Sequence, residues 1–185
     1  MKVTWTELAV PGVLLSGGAR VSDQRGSFTK VLSGTAPLIG SFEGRELYWT
    51  SSARGVIRGL HFQLPPHATR KLVYVVHGAI RDFIVDLRVG SPMERRLFEI
   101  ELNPSVGGLL VPAGCAHAYE ALEDHTIVCY AQDIPFDDPE SYSGIRADSA
   151  GIVPRSEAPI VMPRDLEFAT LAEFVSPFVF RPTLA

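Results

Sequence analysis

Apolar and polar positions along the chain trade places over short distances, and the apolar runs stop at Gly, Pro, Asn or Asp. Six segments have the length and β-rich composition of strands: Leu47–Ser52, Lys71–Gly78, Ile80–Arg88, Arg96–Asn103, Gly107–Gly114 and His125–Ile134. In RLFEIEL, Leu97, Glu99 and Glu101 alternate with Phe98, Ile100 and Leu102, which leaves one face apolar and one wet. VVHGAIRDF reads as a tight hairpin around Gly78. RGVIRGLHFQLPP, Arg54 to Pro66, is a further strand-like run with Arg58 and His61 set into it and a double proline at its end. Helical periodicity is confined to Pro163–Val175, where Leu166, Ala169, Leu171 and Phe174 share much of one face behind an early proline. Many short strands with turn signals between them predict an all-β antiparallel jelly roll, a single domain over residues 1–185 with a short C-terminal helical segment.

Composition changes this picture little. With 185 residues, 46% apolar and 21% charged, the chain can bury a substantial core in one domain. A net charge of −4 gives no basic footprint, so nucleic acid is not an expected partner. No apolar stretch approaches the length of a membrane span, and Glu7 and Pro11 interrupt any signal-like core. Two cysteines, Cys115 and Cys129, suit free thiols in a reducing, cytoplasmic setting.

Of five histidines, His77 and His125 sit beside turns and read as solvated, whereas His61 and His117 follow structured apolar segments next to glycine. VPAGCAH, Val111 to His117, resembles the second histidine motif of cupins, small jelly-roll barrels that often hold a metal. The H-x-H and upstream carboxylate of a metal cupin are missing; His61 and His67 stand six residues apart across the double proline. No metal is therefore expected. What remains is acid–base chemistry beside a carbonyl, for which a histidine is a suitable base near neutral pH. The orienting carboxylate would be Asp165 or Asp82, the cations Arg58 and Lys71, and the acid Tyr130. Tyr130 ends the apolar run TIVCY, and spacing alone favours an ordinary rim group there.

Taken as a set, RGVIRGLHFQLPP, KLVYVVHGAIRDFIVDLRVGSP, LLVPAGCAHAYEAL, IVCY, DQRGSF, SGI and MPRD resemble, in the same order, the nucleotide-diphosphate 4-keto-6-deoxysugar 3,5-epimerases of the dTDP-4-dehydrorhamnose type. The resemblance implies a cupin-like homodimer that uses neither metal nor cofactor. It makes His61 the base, Asp165 its carboxylate partner and Tyr130 the acid on the opposite face. It places Arg58 and Lys71 at the keto sugar, Asp82 and His117 among the pocket groups, and Gln63 and Arg164 at the substrate within their motifs. Arg25 and Phe28 match a segment that meets the nucleotide across the dimer. Gly59, read by itself, marks a place where the backbone approaches the ligand closely. The implied reaction inverts carbon 3, carbon 5 or both of a nucleotide-diphosphate 4-keto-6-deoxysugar through an enolate, in deoxysugar biosynthesis. A ketoisomerase on the same barrel and a non-catalytic sugar-nucleotide binder are the alternatives.

The departures from the family pattern lie on the nucleotide side. Lys30 stands where the thymine-reading glutamate is usual, Glu46 and Tyr48 replace a Gln-x-Asn pair, and Phe136 replaces a base-stacking tyrosine. Arg146 and Val153–Pro154 lie where tryptophans are common. They leave dTDP, GDP, CDP and UDP open, with Lys30 either a contact to phosphate or base or simply exposed.

Overall fold

The computed structural model describes residues 3–17, 19–33, 40 and 42–182. Two six-membered antiparallel sheets face each other. The first runs β1 (Trp5–Glu7), β2 (Leu14–Ser16), β10 (Gly108–Val111), β7 (Lys71–His77), β12 (Thr126–Gln132) and β5 (Glu46–Ser52) in spatial order. The second runs β13 (Tyr142–Gly144), β6 (Val56–Gln63), β11 (Cys115–Ala121), β8 (Ile80–Asp86) and β9 (Leu97–Leu102), with the short β14 (Ile160–Val161) lying parallel to β6. β3 (Ala19–Asp23) and β4 (Gly26–Lys30) form a separate, largely exposed hairpin. This is the expected jelly roll.

Alternation along the strands builds two cores. Inward positions of both sheets, among them Val73, Val75, Ile80, Ile84, Leu102, Leu109, Tyr119 and Val128, fill the barrel. Outward positions of the second sheet, including Leu60, Phe62, Phe83, Val85, Ala116 and Ala118, pack beneath Ile145, Ile152 and Phe178 from the C-terminal third. That coat explains why every residue of β8 and β11 is buried. Among the described residues nothing covers β5 of the first sheet in this way, and its Leu47 and Trp49 are 67% and 70% exposed.

Two local expectations are corrected. β7 and β8 do not form a hairpin, because β7 pairs with β10 and β12 while β8 pairs with β11 and β9. The turn at Gly78, with φ +77, instead carries the chain from one sheet to the other, and a Cβ there would lie 2.3 Å from Thr126 Oγ1. The C-terminal helix spans only one turn, α1 (Pro163–Leu166), not Pro163–Val175. Beyond it the backbone finds partners outside any helix. Arg146 N–H donates to Ala169 O, and the Arg95 guanidinium donates to the carbonyls of Leu171 and Phe174. Phe174 packs edge-on against Phe62, so tertiary contacts override the periodic pattern while Leu166 stays exposed.

Candidate active site

β6 carries Arg58 and His61, three residues apart, a spacing that strict alternation would put on opposite faces. A bulge reverses the parity. His117 pairs with His61 and Tyr119 with Arg58, so Gly59 and Leu60 together oppose Ala118. Both polar side chains consequently line the same cavity. Gly59 is required because its φ is +116 and a Cβ would stand 2.4 Å from His117 O and 2.6 Å from Ala118 Cβ. The close approach expected at this glycine is therefore to strand β11; the ligand is not its cause.

Three backbone groups at the bulge find partners away from β11. Leu60 exchanges backbone hydrogen bonds with Ile145, and Gly59 N–H donates to Asp165 Oδ2 at 3.4 Å. Asp165 arrives from α1, which β14 holds alongside the start of β6. Its Oδ1 lies 2.9 Å from His61 Nε2, and Arg164 Nε is 3.5 Å from the same oxygen. Burial works to raise the Asp165 carboxyl, but the His61 hydrogen bond and charge, the Gly59 N–H and Arg164 together hold it below its ordinary value. An ionised Asp165 has no proton to give, so Nε2 of neutral His61 donates and Nδ1 keeps the lone pair. Desolvation is the main reason His61 titrates below its usual value; Lys71 and Arg164 act in the same direction against the pull of Asp165. Tyr142 and Phe168 flank its ring at centroid distances of 5.2 and 5.9 Å.

A second pair lies next to the first. His117 Nε2 is 2.7 Å from Asp82 Oδ2, the two residues being diagonal neighbours on β11 and β8. Asp82 is fully buried, and among the described residues its Oδ1 has no hydrogen-bond partner. Desolvation raises this carboxyl above its ordinary value, and His117 offsets only part of the rise.

The facing wall belongs to the first sheet. Tyr130 is only 6% exposed and stands in the body of β12, not at a rim as spacing alone suggested; its ring is 6.0 Å from that of His117. Burial pushes its hydroxyl well above the ordinary value, helped by Tyr119, Tyr48 and Asp82 and opposed by Arg58. Arg58 is held by Ser52 Oγ at 3.1 Å and Ser51 O at 3.3 Å, and Ser52 in turn bonds Tyr119. Lys71, near Glu46, is lowered to about 8 by burial. Glu46 accepts hydrogen bonds from the Gln132 amide and from Phe136 N–H. The whole encloses a cavity of about 690 Å³, large enough for a ligand of nucleotide-sugar size.

Of the residues singled out from sequence, His61, Arg58, Gln63, Lys71, His117, Tyr130, Phe136, Arg164 and Asp165 line this cavity, and Asp82 stands behind His117. Arg25, Phe28 and Lys30 do not line it; they sit on the β3–β4 hairpin, where Phe28 is 60% exposed and Arg25 pairs with Asp23 at 2.5 Å. Arg146 pairs with Asp148 outside the cavity. Sequence reasoning gave no site role to Tyr48, Gln132, Tyr142 or Phe168. Gln132 carried a usable signal, because it stands two residues from Tyr130 on the same strand and shares its inward parity. Among the described residues no three His, Cys, Asp or Glu side chains gather as a metal-ligand group.

The sequence model of the dTDP-4-dehydrorhamnose 3,5-epimerases matches residues 7–173. The chain belongs to this family. A dTDP-4-dehydrorhamnose 3,5-epimerase of Sinorhizobium fredii is 41% identical over 103 residues, 55% of this chain and 52% of that protein. The chain thus spans about half the length of that relative. One from Mycolicibacterium smegmatis is 32% identical over 176 residues, covering 92% of this chain and 87% of its own. Among solved structures, a 4-keto-6-deoxy sugar epimerase from the novobiocin biosynthetic gene cluster of Streptomyces spheroides superimposes with a TM-score of 0.87. It is 27% identical and covers 94% of this chain and 89% of that one. The 3,5-epimerase family match covers both His–Asp pairs and, apart from the first two residues of β1, both sheets.

Proposed function

We propose that this chain is an epimerase that inverts carbon 3, carbon 5 or both of a nucleotide-diphosphate 4-keto-6-deoxysugar. The observation that carries the reading is the placement of His61, backed by Asp165, on one sheet with Tyr130 on the other, across one cavity. A carbonyl at carbon 4 acidifies the C–H bonds on either side of it. His61 Nδ1 removes such a proton, and the electron pair moves into an enolate with its charge on the carbonyl oxygen. Arg58 and Lys71, both lining the cavity, stabilise that charge. Tyr130, kept protonated by burial, returns a proton to the opposite face, which turns exchange into inversion.

The active unit is a homodimer, supported by the exposed apolar pair Leu47 and Trp49 on edge strand β5 and by the β3–β4 hairpin standing away from its own cavity. In that dimer Arg25, Phe28 and Lys30 meet the partner's nucleotide. Free Cys115 and Cys129 support work in the cytoplasm, and among the described residues no helix is long and apolar enough to cross a membrane. The test is a panel of dTDP-, GDP-, CDP- and UDP-4-keto-6-deoxyglucose in heavy water, read by deuterium at carbons 3 and 5. Incorporation with inversion is expected for at least one nucleotide; no exchange with any of the four sinks the reading.

A further inference from the structure

Three tyrosines line the cavity, Tyr48, Tyr130 and Tyr142. The Tyr142 hydroxyl is committed, accepting from Arg164 Nη2 at 3.0 Å. Tyr119, in the core behind them, spends its hydroxyl on Thr50 and Ser52. Tyr48 and Tyr130 are different. They oppose each other directly on β5 and β12 and stack with centroids 4.9 Å apart at 13°. Among the described residues no hydrogen bond engages either hydroxyl. The stack needs only two aromatic rings, so phenylalanine at position 48 would satisfy it; the packing gives no reason for the hydroxyl. Burial raises both phenols, with Glu46 adding to the effect at Tyr48, and both keep their protons near neutral pH.

We propose that Tyr48 is a second proton donor, and that the stacked Tyr48–Tyr130 pair serves the two carbons that flank the carbonyl. The inference rests on the epimerase reading above. A single fixed hydroxyl can meet carbons 3 and 5 only in turn, after the sugar has moved. Two hydroxyls on neighbouring strands of the wall opposite His61 give each carbon its own donor, so that only the approach to His61 changes between the two inversions. For each inversion His61 takes the proton from the carbon and the C–H pair becomes the enolate. The enolate carbon then takes a proton from one tyrosine hydroxyl and the carbonyl is restored. The tyrosinate regains its proton from water and His61 releases its own to water, so the balance closes.

The experiment compares wild type, Tyr48→Phe, Tyr130→Phe and the double variant, using the same four 4-keto-6-deoxyglucose nucleotides in heavy water. NMR reads deuterium and configuration at each carbon, and thermal melting checks the fold. Phenylalanine preserves the stack and removes only the hydroxyl. Tyr48→Phe is expected to lose inversion at one carbon by about 100-fold or more, and Tyr130→Phe at the other. A Tyr48→Phe variant that inverts both carbons in the wild-type ratio overturns the proposal. So does an equal loss at both carbons with a raised KM, which would make Tyr48 a positioning residue, and so does a wild type that inverts one carbon alone. Absence of any exchange in wild type removes the epimerase reading together with this one, and is thereby told apart from the other outcomes.

Discussion

His61 and His117 are cross-strand neighbours, each with an aspartate on Nε2, yet the two aspartates live in different surroundings. Asp165 is surrounded by donors: His61, Gly59 N–H and the Arg164 guanidinium. Among the described residues Asp82 has His117 alone, and its second oxygen is buried without a partner. The same side-chain pair thus gives a firm carboxylate behind a neutral imidazole in one place and a carboxyl pushed toward its protonated form in the other. What separates them is the supply of backbone and guanidinium donors, and that supply comes from the bulge and from α1.

The largest effect expected from breaking the comparison lies in the imidazoles. His61→Asn should cost about 1,000-fold in kcat/KM for deuterium exchange with the fold intact, whereas His117→Asn should cost only about 10-fold, because no base is removed. Equal losses would mean that the pairs share the proton-transfer work. Next comes the firm carboxylate. Asp165→Asn should lower stability by about 1–3 kcal/mol in urea unfolding at neutral pH, since three donors lose a charged acceptor. Asp165 titrates below the unfolded 3.8, so its contribution is present above 3.8 and drains away as pH falls through the depressed folded value. Wild type and variant should therefore converge in acid.

Activity against pH gives a smaller but sharper discriminator. Neutral His61 sets an acid limb of kcat/KM below pH 6.5, because its folded value is lowered. Loss of the Lys71 charge sets an alkaline limb near pH 8. Lys71→Arg should abolish the alkaline limb and leave the acid one in place. The smallest effect belongs to Asp82→Asn, expected to stay within about 1 kcal/mol of wild type at neutral pH. Asp82 titrates above 3.8, so it costs stability progressively as pH rises from 3.8 through its raised folded value, and the variant should lack that decline.

Strands were legible wherever the period was clean. RLFEIEL and TIVCY were bounded to within a residue or two as β9 and β12. β11 was not read as a strand, because CAHAYEA is buried on both faces by the barrel core and the C-terminal coat and shows no wet alternation. The helical pattern after Pro163 failed for a different reason, since its carbonyls are taken by Arg95 and Arg146, far away in sequence. The site residues were legible through motif order and family likeness, not through spacing. Arg58 and His61 are the clearest case: their odd separation speaks against a shared face until the bulge is known. Tyr48 was visible only as a departure from the family pattern, and its stack on Tyr130 needed the β5–β12 register.

The extra residue in β6 sets a constraint on how this strand can change. Insertion of one more residue between Arg58 and His61, with the bulge kept, would hand the cavity position of His61 to a neighbour and turn the imidazole toward the C-terminal coat. The barrel's apolar inventory would be nearly unchanged, while the wall facing the tyrosines would lose its base. Single insertions that the turns of this fold can absorb are therefore forbidden along a few residues of one strand, where counting itself is part of the chemistry.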